Sequence, residues 1–294
     1  MLSICIPVYN FDVENLVEDL INEASKLKIE YEILMIDDKS ENLFKEKNSK
    51  LSKHKFVNYI ELEENAGRSI IRNMLAKTAK FDLLIFMDCD SKIVSKNYLF
   101  NYLQNHKKNS VVFGGRTYEK KAPKDNSFFR WKYGIKSECK DALERQKKPY
   151  SSFMTNNFMI DKNILINTIK FNENLKGYGH EDTLFGLELE ENKIPIIHID
   201  NPLSHIGLEG KTEFINKTEK GLENLHFIMK NKLVEESLLM ENIKLLKAFK
   251  TYKKFNFNSI NNFFLTICKK IIIVTDSVFF FNLYKLFYFA RIEN

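Results

Sequence analysis

The chain has 294 residues, 44% of them hydrophobic and 29% charged, which excludes a disordered polymer and suits one large α/β domain with an appendage or two small domains. Its four cysteines, Cys5, Cys89, Cys139 and Cys268, form no C-x-x-C pair, a usage that argues against a zinc site and for a reducing compartment. The net charge of +6 is unevenly placed: residues 211–294 carry 14 Lys and Arg against 8 Asp and Glu, while residues 1–210 carry 31 of each.

"LSICIPV" (2–8) reads as a buried strand. No basic n-region or cleavage site precedes it, so no secretory signal is expected. A helix follows near 12–27, with Val13, Leu16, Val17, Leu20, Ile21 and Ala24 on one face. "YEILMID" (31–37) is the next strand, then a polar helix to about residue 53, "FVNYIEL" (56–62), and a helix across 66–79. "DLLIFMDCDS" (82–91) runs Leu83–Phe86 and Met87 through the core and ends in Asp88 and Asp90. A further strand is expected at 110–114. Strands alternating with helices indicate a parallel, mostly buried sheet. Residues 119–150 are polar and basic and read as a long excursion or short helices. "NNFMIDKNILI" restores order, followed by a helix from near Glu181, a strand at 194–199, and helices near 212–230 and 234–250.

In an open parallel sheet ligands bind outside the carboxyl ends of the strands. Those ends carry Pro7, Tyr9 and Asn10, then Asp37 and Asp38, then Asp88 and Asp90. Close carboxylates repel unless a cation or partner separates them. Hard divalent cations take oxygen ligands, often one or two carboxylates plus substrate phosphates. Alternation along a strand puts Asp88 and Asp90 on one side and leaves Cys89 as a packing residue. In isolation the same D-x-D describes a solvated turn. "NAGRSIIRNMLAK" (65–77) adds a helix start with Asn65 as N-cap and Arg68 and Arg72 on one face. It suits a diphosphate, or is a capped surface helix with solvated arginines.

With "ICIPVYN", "MIDDKS", "NAGRSIIRN" and "FMDCD" in this order, and "FNENLKGYGHEDTLFGLELEENKIPIIHIDNPLSHIG" after them, the chain resembles the inverting glycosyltransferases of family 2 over roughly residues 1–210. The resemblance implies an α/β GT-A fold: a Rossmann-like, mostly parallel central sheet flanked by helices. The nucleotide-binding half would span about 1–114, the acceptor half 115–210, and a helical extension 211–294. It implies a metal-dependent, hexosyltransferase-type enzyme moving a sugar from a UDP-sugar to a glycan or lipid-linked acceptor in cell-surface polysaccharide or glycoconjugate synthesis.

Residue by residue, the resemblance puts Pro7, Tyr9 and Asp38 around the uridine. Arg72 would lie near the diphosphate or order the metal loop, and Asp88 would hold ribose or metal-bound water. Asp90 and His205 would bind Mn2+ or Mg2+, with Asp88 as a further metal contact. Asp182 would be the catalytic base and Glu181 would bind acceptor or donor sugar. His180, Gly115, Arg116, Asn156 and Asn157 are further acceptor or sugar contacts, and His198 is structural. The Q-x-x-R-W of processive synthases is missing, because "FRW" (129–131) precedes Glu181.

A sugar nucleotidyltransferase, the alternative enzyme, should open on a glycine-rich loop, and "CIPVYNFDVEN" has no glycine. A non-catalytic nucleotide or glycan module is the other alternative. The basic, aromatic-rich segments 242–254 and 263–290 contain no run of about 20 apolar residues. They are expected either to lie on an anionic membrane or to pack on the domain or a second copy, giving a cytoplasmic protein peripheral on the inner face. Nucleic acid is not an expected partner.

Overall fold

The computed structural model describes residues 1–254 and 261–293. In chain order the elements are β1 (Leu2–Val8), α1 (Glu14–Leu27), β2 (Tyr31–Asp37), α2 (Asn42–Asn48), β3 (Val57–Glu61), α3 (Arg68–Thr78), β4 (Leu83–Met87), β5 (Ser91–Ile93), α4 (Tyr98–Asn105), β6 (Val111–Phe113), β7 (Arg116–Thr117), α5 (Phe128–Ser137), α6 (Ala142–Gln146), β8 (Asn157–Asp161), α7 (Lys162–Asn167), α8 (Glu181–Glu191), β9 (Ile196–His198) and β10 (Leu203–His205). Then come α9 (Lys211–Lys230), α10 (Glu236–Asn242), α11 (Lys244–Lys253), α12 (Asn261–Thr275) and α13 (Val278–Glu293).

The central sheet has the order β3-β2-β1-β4-β8-β6-β9. Strands β1 to β4 are parallel where they pair, whereas β8 runs antiparallel to both β4 and β6. Both faces are covered, which explains the uninterrupted apolar runs. Ile4, Ile6, Ile85 and Met87 pack with α1 and α4 on one side, and Cys5, Leu84 and Phe86 pack with α3, α7 and α8 on the other. Strand order reverses between β1 and β4, which opens a crevice at their carboxyl ends.

Two strands add to the sequence reading, and one expected helix is divided. The ordered run at 157–161 is a strand, and it inserts between β4 and β6, so 110–114 does not follow β4 directly. The region of His205 is a strand, in a small sheet of order β5-β10-β7. The helix expected over 234–250 is two, broken at Ile243, whose backbone is extended.

The extension beyond residue 210 is not a separate appendage. Leu246 and Phe249 of α11, Leu265, Cys268 and Ile272 of α12 and Phe281 of α13 share one core with Phe129 of α5 and Leu184 and Leu187 of α8. Each fully buried side chain of this size stabilises the fold by roughly 1.5–3 kcal/mol. The inner faces of the C-terminal helices therefore pack on the domain, and no helix among the described residues is long and apolar enough to cross a membrane.

Candidate active site

The first corner of the site forms where β5 pairs antiparallel with β10, Ser91 lying opposite His205. The Ile206 amide donates to the Asp90 carbonyl at 2.9 Å, and His205 Nε2 lies 3.0 Å from Asp90 Oδ2. Two residues 115 positions apart are thus placed by strand register. Burial opposes the charge on Asp90, but the His205 hydrogen bond and the nearby charges of His205, Arg116 and Arg68 outweigh it and hold the carboxyl at about 2. Asp90 Oδ1 and His205 Nδ1 are buried without a hydrogen-bond partner among the described residues. An ionised carboxylate with a free oxygen beside an imidazole fits a divalent cation. Among the described residues no group of three or more His, Cys, Asp or Glu could hold a metal alone, so substrate phosphate and water would complete the shell. Gly207, which sequence reasoning passed over, closes this corner: a Cβ there would stand 2.6 Å from Asp90 Cβ.

Asp88 is held between two arginines. Arg72 Nη2 donates to Asp88 Oδ1 at 2.9 Å and Arg116 Nη2 to Oδ2 at 3.4 Å. Two guanidiniums hold the carboxylate in place where it lines the cavity of the site. Arg72 is itself buried and lies against Phe171, so it orders the loop and does not reach into the crevice. Arg116 continues to Glu138 at 3.2 Å, and Glu138 accepts from the Tyr118 hydroxyl and from Arg130. Burial opposes the Glu138 charge, but Arg130, Arg116 and Tyr118 hold its carboxyl well below the usual range. Glu138 and Arg130 lie in the polar stretch 119–150, where the sequence offered only a scatter of charges.

The second corner is the loop "KGYGH" and the start of α8. Gly177, Gly179 and His180 all have positive φ, at 74°, 96° and 65°. Gly179 also packs so closely on α9 that a Cβ would stand 2.8 Å from the Gly221 Cα. Asn224 of α9 donates from Nδ2 towards the carbonyls of Lys176, Tyr178 and Gly179 at 3.1, 3.3 and 2.9 Å. The C-terminal extension therefore holds the loop that presents the acids. Glu181 pairs with Arg68 at 3.4 Å, and burial of Glu181 is outweighed by Arg68 and Arg72, which keep it ionised. Asp182 is pushed up to about 6 by burial and by the Glu181 charge, and its carboxylate accepts from the amide and hydroxyl of Thr183. Burial lowers His180 to about 4; it is neutral near pH 7 and contacts Thr183 at 3.2 Å.

A cavity of about 400 Å3 brings Asp88, Arg116, Asn156, His180, Glu181 and Asp182 together. Its opposite wall includes Tyr133, Lys217, Ile243, Leu245 and Lys285. Asn156 Oδ1 is buried and unpartnered among the described residues, as a sugar contact would be before its ligand.

Other expected contacts lie elsewhere. Tyr9 is exposed on the rim after β1, near Pro7, and neither lines the cavity. Asp38, not Asn65, caps the entry to α3, accepting from the Ala66 and Gly67 amides at 2.6 and 3.0 Å. Asn65 instead donates to the Asp38 carbonyl. Asn157 is fully buried and bonded to Tyr98, Tyr102, and the carbonyls of Gly115 and Asn201, so it is a strut and not an acceptor contact. Gly115 faces the Arg145 guanidinium and not the cavity. His198, bonded to Arg145 and near the Pro149 carbonyl, is structural.

The sequence profile of glycosyl transferase family 2 matches residues 3–169. The chain belongs to this family. A curated glycosyltransferase of Haemophilus influenzae is 31% identical over 132 residues, covering 40% of this family 2 chain and 42% of that protein, so the chain matches less than half of that relative's length. Among solved structures, a mannosyltransferase of Pyrobaculum calidifontis in complex with GDP-Man and Mn2+ is similar over 98% of this chain and 84% of its own, with 11% identity and a TM-score of 0.60. S. aureus TarS 1–349 in complex with UDP is similar over 99% of this chain and 89% of its own, with 16% identity and a TM-score of 0.51. At these identities the structures establish a shared GT-A-like fold. The family match ends at residue 169, before the loop carrying Asp182, while the fold similarity runs on through the C-terminal helices.

Proposed function

We propose that this family 2 chain is an inverting glycosyltransferase, moving a sugar from a UDP-sugar to a hydroxyl of a glycan or lipid-linked acceptor in cell-surface polysaccharide or glycoconjugate synthesis. The observation that carries the reading is the cavity that opens Asp182 beside Asp88, Arg116 and Asn156. A sugar leaving a nucleoside diphosphate needs no acid on its leaving group, so one carboxylate that deprotonates the acceptor hydroxyl suffices. Asp182 is that base: its raised carboxyl is mostly ionised at neutral pH yet more basic than an ordinary aspartate. Glu181, fixed by Arg68, orients a sugar hydroxyl, and Asn156 offers a second acceptor atom. Arg68 keeps 43% of its side chain exposed while it pairs with Glu181, and it is the guanidinium that would meet the diphosphate. Asp90 and His205 would hold Mn2+ or Mg2+, which would offset the charge developing on the departing diphosphate. Pro7, Tyr9 and Asp38 would flank the base, Asp38 using lone pairs its two amide bonds leave open.

Lys285 has no carboxylate partner among the described residues and sits with the Tyr133 hydroxyl at 3.2 Å. With Ile243 and Leu245 it gives the acceptor wall a cation beside apolar side chains, which suits an acceptor carrying phosphate and lipid. The fold relatives bind UDP in one case and GDP-Man with Mn2+ in the other, which supports a nucleotide-sugar donor without choosing the base. A panel of UDP- and GDP-sugars, assayed for nucleoside diphosphate release with and without Mn2+, tests the reading. Release from a UDP-sugar only with the ion is expected. Equal release from GDP-sugars, or release that ignores chelator, refutes the donor or the metal assignment respectively.

A further inference from the structure

The C-terminal helices bury one face each and leave the other bare. On α11, Leu246, Phe249 and Tyr252 point into the core, while Lys244, Lys247 and Lys250 lie exposed on the opposite side, with Lys253 and Lys254 exposed at its end. On α12, Leu265, Cys268 and Ile272 are buried, and Phe263 (65% exposed), Lys270, Ile273 (52%) and Val274 (81%) are not. Phe279, 65% exposed, follows at the start of α13. Ile273, Val274 and Phe279 thus cluster around the tip where α12 turns into α13. Exposed aliphatic and aromatic side chains grouped at one helical corner are uncommon on a free surface.

The charge of this face is mostly positive, although Lys253 pairs with Glu293 at 3.8 Å and Lys269 with Glu219 at 3.1 Å from neighbouring helices. Residues 244–275 contain seven lysines and no Asp or Glu. Asp276, at the tip, is neutralised by Lys211 at 2.7 Å, and the tip is anchored by Lys211 on the Ile273 carbonyl and Lys132 on the Asp276 carbonyl, at 2.7 and 2.9 Å. One turn beyond Lys132, α5 adds exposed Ile135 and Lys136. The Tyr252 hydroxyl donates to Asn261 Oδ1 at 3.1 Å, which puts the basic end of α11 beside the start of α12.

We propose that this face docks on an anionic lipid surface, with Ile273, Val274 and Phe279 entering the headgroup–acyl boundary and the lysines of α11 and α12 meeting the headgroups. Interfacial binding combines buried apolar area with attraction to anionic lipid, and this face supplies both without a spanning helix. A second copy of the chain fits less well. A two-fold contact would set lysine against lysine, since Asp276, Glu293 and Glu219 beside the face are already paired with lysines of this chain. Docking here leaves the cavity wall of Ile243, Leu245 and Lys285 on the same helical layer, within reach of an acceptor held in that surface.

The test uses the full chain and vesicles, and needs no sugar transfer. Co-sedimentation with vesicles of phosphatidylglycerol and phosphatidylcholine should exceed that with phosphatidylcholine alone at least about tenfold and weaken as salt rises. The combined Ile273→Ser, Val274→Ser and Phe279→Ser change should lower binding by about tenfold or more. Neutralising Lys247, Lys250 and Lys254 to Gln, which touches no core contact, should cost about fivefold per lysine. UDP-induced thermal stabilisation reports that each variant is folded. Equal binding to neutral vesicles, or full binding by both variants, overturns the proposal. So does a doubled mass by light scattering that the Ser variant abolishes, which would make the face a contact between copies.

Discussion

At the end of β4, Asp90 is held by strand register and driven down to about 2, whereas at the start of α8 Asp182 is held by a loop and raised to about 6. Both carboxylates are half-buried, so desolvation raises each of them. The difference is what faces them. Asp90 has an imidazole in hydrogen-bond contact and two guanidiniums nearby, while Asp182 has the Glu181 carboxylate as its neighbour. One acid is thereby prepared to attract a cation and the other to accept a proton. Two acids with their titrations pushed apart is the pattern expected where each has its own task.

Replacing Asp182 by Asn should break the comparison most sharply. Transfer should fall roughly 10²–10⁴-fold, the usual worth of a positioned base, with UDP affinity by calorimetry unchanged. Transfer within a few-fold of wild type in the folded variant would remove Asp182 from the base role.

Gly207→Ala probes the other acid. Its Cβ would crowd the Asp90 carboxylate, so the concentration of Mn2+ needed for half-maximal activity should rise about 10–100-fold, as changes beside metal ligands commonly do. A titration of activity against Mn2+ reads this, and an unchanged midpoint would show that Asp90 does not hold the ion.

Asn224→Ala removes the clamp from α9 on the Lys176–Gly179 carbonyls. A drop of about tenfold in kcat is expected with donor KM little changed, because only the presentation of Asp182 suffers. If kcat holds, the extension is packing and not positioning.

The pH dependence is the gentlest test. The Asp182 carboxylate must be deprotonated to act, so kcat/KM should climb about tenfold per unit up to pH 6 and level off above it. Stability moves the opposite way. A carboxyl raised in the folded state favours the protonated fold, so its contribution is present at low pH and is lost as pH rises through about 6. Thermal melts should therefore show Asp182→Asn gaining on wild type above that pH.

Much of the nucleotide half was legible because its signals are local. Apolar runs with helical spacing between them specify alternating strands and helices, and acids at strand ends mark the crevice. Four residues of the two halves share one ambiguity. Asp38, Arg72, Asn157 and Gly115 stand at positions where a ligand contact and a structural contact look alike in sequence. Only their neighbours decide: two amides for Asp38, the Asp88 carboxylate for Arg72, a pair of tyrosines for Asn157 and the Arg145 guanidinium for Gly115. Asn224 and Gly207 left no readable signal because each acts on a partner far along the chain, and Glu138 was hidden among the many charges of 119–150. "HIG" at 205–207 was the one hint, a glycine two residues after the histidine.

By itself the sequence determined the alternation of strands and helices, the order of the acid-bearing turns, the D-x-D and "GHED" stretches, and the basic tail with its acid-free run over 244–275, since each depends on residues close in the chain. Tertiary structure alone decided that β8 enters the sheet in reverse, that β5 and β10 bring Asp90 to His205, and that α9 grips the loop of Asp182. Pairing register and helix packing join residues separated by tens to more than a hundred positions, and the free energy that selects those joins comes from burial and electrostatics that no short stretch contains.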